Sequence, residues 1–116
     1  MTLLTMIFLH IVDDYYLQGI LAQMKQKKFW KENAPDEKYK YDYIWALIMH
    51  AFSWAFMVML PIALTGAASP LFYVVFAANV AIHAYVDHMK ANQFKINLWQ
   101  DQLAHMAQIV LTFIVL

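Results

Sequence analysis

The chain contains no cysteine, which removes disulfides, thiolate metal sites and a cysteine nucleophile together. It has only two glycines, so neither a Gly-rich phosphate loop nor a dinucleotide-binding fingerprint can be assembled, and no serine lies in a nucleophile motif. Charge is scarce and balanced: 14% of residues are charged and the formal net charge is zero. Such a balance suggests neither nucleic acid nor an acidic surface as a partner. The first apolar segment has no basic leader and no small-residue cleavage site, and it holds His10, Asp13 and Asp14. It reads as a retained helix rather than a secretory signal. No fixed-period repeat and no low-complexity segment is evident.

What the chain does have is apolar surface: 63% of its 116 residues are hydrophobic and mean hydropathy is +0.48. A single soluble domain of this size cannot bury so much, whereas a membrane can. Apolar stretches run over 2–23, 43–65, 70–91 and 98–116, each close to the ~20 residues a helix needs to span the hydrocarbon. The expected fold is therefore all-α, a single transmembrane domain built as an integral membrane four-helix bundle with inward-facing His and Asp residues. A polar connector containing Pro35 separates the first two stretches, the run from Gly66 to Pro70 the next two, and a short polar link the last two.

Every basic residue lies in or beside the first or third connector: Lys25, Lys27, Lys28, Lys31, Lys38 and Lys40, then Lys90 and Lys95. The positive-inside rule places both connectors in the cytoplasm and both termini outside. Tyr15, Tyr16, Tyr39, Tyr41, Tyr43, Trp30, Trp45 and Trp99 gather near those cytoplasmic ends, as an interfacial anchoring belt does.

Within the apolar stretches lie His10 with Asp14, His50, His83 with Asp87, and Asp101 with His105. Each pair is spaced i, i+4, which puts both side chains on one face of a helix. Ionisable groups at membrane depth are costly and normally face a bundle interior where they have a task. Counting along the four helices at 1.5 Å per residue puts Asp14, His50, His83 and His105 about 10 Å below one surface. Asp87, Asp101 and Gln18 lie one turn nearer the cytoplasm, and His10 one turn deeper. Asp13 and His88 adjoin these residues but belong to other helix faces.

Imidazoles and carboxylates facing inward from four helices can hold one or two metal ions. Without thiolates, the donors suit Zn, Mn or Fe rather than Cu(I). Seven donors exceed the needs of one tetrahedral zinc with an open position, so two divalent ions sharing a bridging Asp are expected. Gln18, Gln102 and Asn79 are placed to orient ligands from behind. Lys90, one turn after Asp87, either snorkels to the headgroups or reaches over the site to hold a phosphate.

In order and spacing, His10-Asp14-Gln18, Lys25, His50, His83-Asp87-Lys90 and Asp101-Gln102-His105 follow H-x3-D-x3-Q, K, H, H-x3-D-x2-K and D-Q-x2-H. Over nearly its whole length the chain resembles a family of small bacterial and phage integral membrane proteins whose shared domain has no assigned function. The resemblance implies that Asp14 rather than Asp13, and Asp87 rather than His88, belongs to the site. It implies a phage origin or a bacterial inner membrane as its home. More loosely the pattern is similar to membrane-bound metal-dependent hydrolases.

The leading expectation is a metal-dependent hydrolase of the cytoplasmic leaflet, acting on a phosphoester or amphipathic substrate. Metal ions lower the pKa of a bound water and clamp a substrate oxygen. Asp101 or Asp87 serves as general base, and Lys90 or Lys25 binds substrate phosphate. Two other readings compete. One is a transporter or channel subunit for a divalent metal or protons, for which an oligomer is needed because charged residues stop near mid-membrane. The other is a phage structural or lysis-related membrane protein in which metal only locks the bundle. Membrane lipids are the expected surroundings in every case.

Overall fold

A computed structural model describes residues 1–66 and 68–116, and the described residues form helices with no strand. Helix α1 (Thr2–Ile11) runs on into a π-helical segment, Val12–Leu17. Two short helices follow, α2 (Leu21–Met24) and α3 (Lys27–Asn33), then a 3-10 turn at Glu37–Tyr39. The long helices are α4 (Asp42–Leu64), α5 (Pro70–Ala91) and α6 (Leu98–Val115).

The last three elements fall where apolar runs and stop signals put them. Gly66, at φ +81°, takes the left-handed conformation that ends α4. The Ser69 hydroxyl accepts from the Phe72 backbone N–H at 3.3 Å, with Pro70 opening α5. Asn97 and Gln100 form a reciprocal capping box at the start of α6, with bonds of 2.9 and 3.0 Å.

The first expected helix, 2–23, is corrected. Its helical path stops at Leu17, and Gly19 at φ +56° turns the chain before α2. A left-handed residue interrupts the i→i+4 ladder, and glycine adopts that conformation without steric cost. The connector after it is also more ordered than its polar composition suggests, since α3 and the 3-10 turn occupy much of it.

Helices α1, α4, α5 and α6 close a ring in which α1 packs on α4 and α6, α4 on α5, and α5 on α6. One end of the ring is filled by an apolar cluster, Met6, Trp54, Ala55, Val58, Met59, Ile62, Phe72 and Ile109. At the other end the interior is ionic: His10, Asp13, His50, His83, Asp87, Asp101 and His105 are all buried. Outside, Phe8, Phe52, Phe56, Val74, Ile82 and Leu111 are exposed. Large apolar groups thus face outward along the ring, which holds both a buried ionic layer and a buried apolar cluster. Two helical stretches, 37–64 and 70–91, are long and apolar enough to cross a membrane.

Candidate metal centre

Six of the seven predicted ligands meet in the ionic layer, drawn from α4, α5, α6 and the π-helical segment that continues α1. They fall into three overlapping triads whose donor atoms lie within 4.8 Å of one another: Asp14–His50–His83, His83–Asp87–His105 and Asp14–Asp101–His105. Each triad spans two or three elements, so it exists only in the folded chain. Each also has the composition of a three-ligand site that leaves a coordination position open.

Hydrogen-bond direction fixes what His105 offers. Gln108 lies 3.3 Å from the main-chain carbonyl of Asn79, an obligate acceptor, so the Gln108 atom facing it is the amide nitrogen. Its Oε1 therefore faces His105 Nδ1, at 3.2 Å, and that nitrogen carries the proton. Further along the same line Gln108 donates to Asn79 Oδ1 and Asn79 donates to Thr112 Oγ1. A neutral His105 then turns the lone pair of Nε2 toward Asp87 Oδ1 and Asp101 Oδ1, both 3.3 Å away. Three acceptors facing one point repel unless a cation lies among them, either a proton on Nε2 or a metal ion.

His83 adds a second demand. Its ring is sandwiched between Trp54 and His105, with centroids 4.3 and 4.0 Å away, and it is fully buried. Neither ring nitrogen has a hydrogen-bond partner, and Asp101 Oδ1 and Asp13 Oδ2 are also unpartnered. A buried polar atom left in this state costs about 1–3 kcal/mol. Stacking orients the ring, and its Nε2 faces Asp87 Oδ2 at 3.6 Å.

His10 takes a different part from the one its sequence position suggests. Trp54 Nε1, which can only donate, bonds to His10 Nδ1 at 2.7 Å. His10 must then donate from Nε2 to Gln102 Oε1, at 3.0 Å, and Gln102 Nε2 donates to Asp14 Oδ2 and Asp101 Oδ2, each at 3.0 Å. Both His10 nitrogens are committed, and it joins none of the triads. It acts behind the carboxylates, one turn deeper, through Gln102. Gln18 stays outside the layer too, spending its amide on the Asp14 main-chain carbonyl at 2.9 Å.

Asp13 is the residue the spacing rule misses. Assigned to another face by α-helical periodicity, it is 1% exposed and accepts from Ser53 Oγ at 2.6 Å. Its Oδ2 faces His50 Nδ1 at 3.8 Å, while His50 Nε2 lies 3.1 Å from Asp14 Oδ1. The π-helical turn is the cause: its i→i+5 bonds widen the helix, so adjacent residues 13 and 14 both reach the interior. A carboxylate behind the second nitrogen of a ligating imidazole is a recurrent way of orienting it. The signal in the sequence is the Asp-Asp pair itself, since two adjacent charges in an apolar helix need a local departure from α geometry to share one interior.

Two of the lysines also turn inward. Lys25 is 4% exposed and its Nζ lies 2.7 Å from Asp87 Oδ2. Asn92 pins the chain there, donating to the Lys25 carbonyl at 2.9 Å and accepting from the Lys27 N–H at 2.7 Å. Lys90 does not extend away from the layer, for its Nζ pairs with Asp101 Oδ2 at 3.0 Å. His88 stands apart, stacked on Tyr43 and bonded to Asn92 and Gln93. Compared with known proteins, the chain matches no family model, no curated protein and no solved structure.

Proposed function

We propose that this chain is an integral membrane metalloprotein that holds a divalent cation in its His/Asp layer and uses it for hydrolysis. The observation that carries the metal reading is the convergence on His105 Nε2, where an imidazole nitrogen and two carboxylate oxygens face one point. The unpartnered His83 ring beside it supplies a further donor. Membrane placement is supported by the two long apolar stretches, the outward apolar side chains and the lysine-rich connectors at one end. The four packed helices then form a transmembrane bundle with both termini outside, in a bacterial inner membrane, as the motif resemblance implies.

Charge favours one ion over the two expected from donor number. Asp13, Asp14, Asp87 and Asp101 supply four negative charges, and Lys25 and Lys90 return two positive ones. With neutral imidazoles the layer carries −2, which one Zn, Mn or Fe dication cancels, and uncompensated charge in a low-dielectric interior is costly. The lysine ammoniums take the place a second dication needs.

A dication held by three of these residues with a position open would supply an activated water, and the spare carboxylates would accept that water's proton. The water oxygen would bond to the phosphorus or carbonyl carbon of an ester, the bond from that atom to the alkoxy oxygen would break, and the alcohol would leave with the proton the carboxylate had taken from water. A phosphoester or lipid-like ester at the cytoplasmic leaflet is the substrate class at this depth. The line from His105 through Gln108 and Asn79 to Thr112 extends polarity past the layer, which bears on the transport reading. Its amides orient but do not readily relay protons, so it favours fixing the His105 tautomer over conduction.

Elemental analysis of detergent-purified protein, wild type beside His83→Ala and His105→Ala, tests the proposal. About one equivalent of Zn, Mn or Fe, lost in both variants, is the outcome expected of a site needing three protein ligands. Absence of metal after purification without chelator, and after adding these ions back, would overturn it. A phosphoester and lipid-ester screen of the loaded protein then tests hydrolysis separately.

A further inference from the structure

The ionic layer is closed on nearly every side by helix, but between α1 and α6 a groove of about 800 Å³ runs along the outside of the ring. Its walls are apolar or amphipathic: Ile11 and Tyr15 on one side, Leu98, Trp99 and Met106 on the other. Its floor is polar, for His10, Asn97 and Gln102 also line the groove, and of these three Gln102 bonds to the layer's carboxylates. That one side chain both faces the groove and touches the site, with Nε2 3.0 Å from Asp14 Oδ2 and from Asp101 Oδ2. Gln102 is half-buried, whereas Asp101 and His105, its neighbours on α6, are fully buried.

We infer that the site opens sideways through this groove, and that its ligand is an amphiphile with one alkyl chain and an oxygen-rich anionic head. The inference rests on the proposed metal site and names how its substrate arrives. A purely polar solute gains nothing from walls of Ile11, Leu98 and Met106, and an alkane gains nothing from the amide floor. An amphiphile satisfies both, with its chain along α1 and α6 and its head at Gln102. The aromatic walls fit this, since Tyr and Trp combine an apolar body with a polar edge. The head is anionic because the cations behind Gln102, the bound metal and the Lys90 ammonium 3.0 Å from Asp101 Oδ2, attract an anion. Gln102 is the latch. Its amide is held by His10 on one side and by two carboxylates on the other, and a rotation about its side chain uncovers Asp14 and Asp101 without moving a helix.

Photolabelling with a lysophosphatidic acid that carries a diazirine near the head end of its chain tests this in the full-length, detergent-purified protein. Cross-links are mapped by mass spectrometry and metal content is measured on the same samples. The expected result is label concentrated on the peptides holding Ile11 and Leu98 to Met106. It is lost in Leu98→Trp, which fills the groove without touching a ligand, and lost on chelation, while a neutral monoacylglycerol probe labels all apolar faces alike. Label from the phosphate probe spread equally over Phe52, Phe56 and Tyr73 on α4 and α5, or unchanged in Leu98→Trp, overturns the lateral opening. Bound metal with diffuse label overturns only the opening, whereas absent metal overturns the site and the opening together.

Discussion

The two ends of the helical ring are filled by opposite chemistries at similar depth of burial. Around Val58, Met59, Ile62 and Ile109 the packing is apolar, and each side chain is satisfied by whatever volume surrounds it. Around Asp87 a side chain can be satisfied only by particular atoms, and Lys25, His50, His83 and His105 all lie within 3.6 Å of its two oxygens. An apolar core loses stability in proportion to what is removed. A buried ionic network fails when a single partner is lost, because the group left behind keeps its charge and has no water. Trp54 joins the two regimes. Its ring packs in the apolar cluster, and its N–H starts the directional chain through His10.

Removing the hub tests that contrast most severely. Asp87→Ala leaves the Lys25 ammonium buried and unpaired, and stability is expected to fall by about 3–5 kcal/mol. Metal is lost with it, as thermal unfolding followed by circular dichroism and elemental analysis can check. Adding Lys25→Met to that variant should recover part of the stability and none of the metal. Recovery of both would mean that Asp87 is a structural counter-ion only. At the apolar end, Ile109→Ala is expected to cost about 2–5 kcal/mol through the cavity it opens, with metal content unchanged. Loss of metal in Ile109→Ala would erase the distinction between the two ends.

The contrast also explains what could be read from the sequence. Helices α4, α5 and α6 were legible because long apolar runs end at Gly66, Ser69-Pro70 and Asn97, whose backbone preferences are local. The layer was legible because i, i+4 pairs depend only on helix periodicity, and periodicity holds in α5 and α6. It fails in the first segment. The π-helical turn rotates Asp13 into the interior, and Gly19 ends a helix that hydrophobicity alone extends to residue 23. Roles within the layer were beyond reach of spacing. Whether His10 ligates or orients depends on Trp54, 44 positions away in sequence, donating to one of its nitrogens. Lys25 resembles its exposed neighbours in the connector, and only the turn at Gly19 and the Asn92 clamp carry it inward.

Ser53 tests whether Asp13 belongs to the ionic regime. Its hydroxyl is the hydrogen-bond donor to Asp13 Oδ1, and Ser53→Ala removes it while leaving the apolar cluster intact. Loss of a charge-assisted bond of this kind is worth about 1.5–3 kcal/mol. If Asp13 orients His50, metal affinity falls as well, by about 10–100-fold, as for other carboxylates behind a ligating imidazole. A metal titration of the variant decides the matter: unchanged affinity with reduced stability would leave Asp13 a structural group.

The smallest effect is expected at the junction. Trp54→Phe keeps an aromatic ring against His83 and most of the buried volume, but phenylalanine cannot donate to His10 Nδ1. The thermodynamic penalty is about 1 kcal/mol, the net worth of one hydrogen bond. The informative change is in the imidazole rather than in stability. In the wild type, Trp54 forces the proton of His10 onto Nε2, while Gln108 forces that of His105 onto Nδ1. Nitrogen-15 spectra of histidine-labelled protein should therefore show these two rings as opposite tautomers. In Trp54→Phe the His10 signals should move toward a tautomer mixture while those of His105 stay fixed. A His10 spectrum unaffected by the substitution would mean that Gln102, not Trp54, sets the direction of the chain. The carboxylates would then orient the histidine, and the apolar end would have no hold on the ionic one.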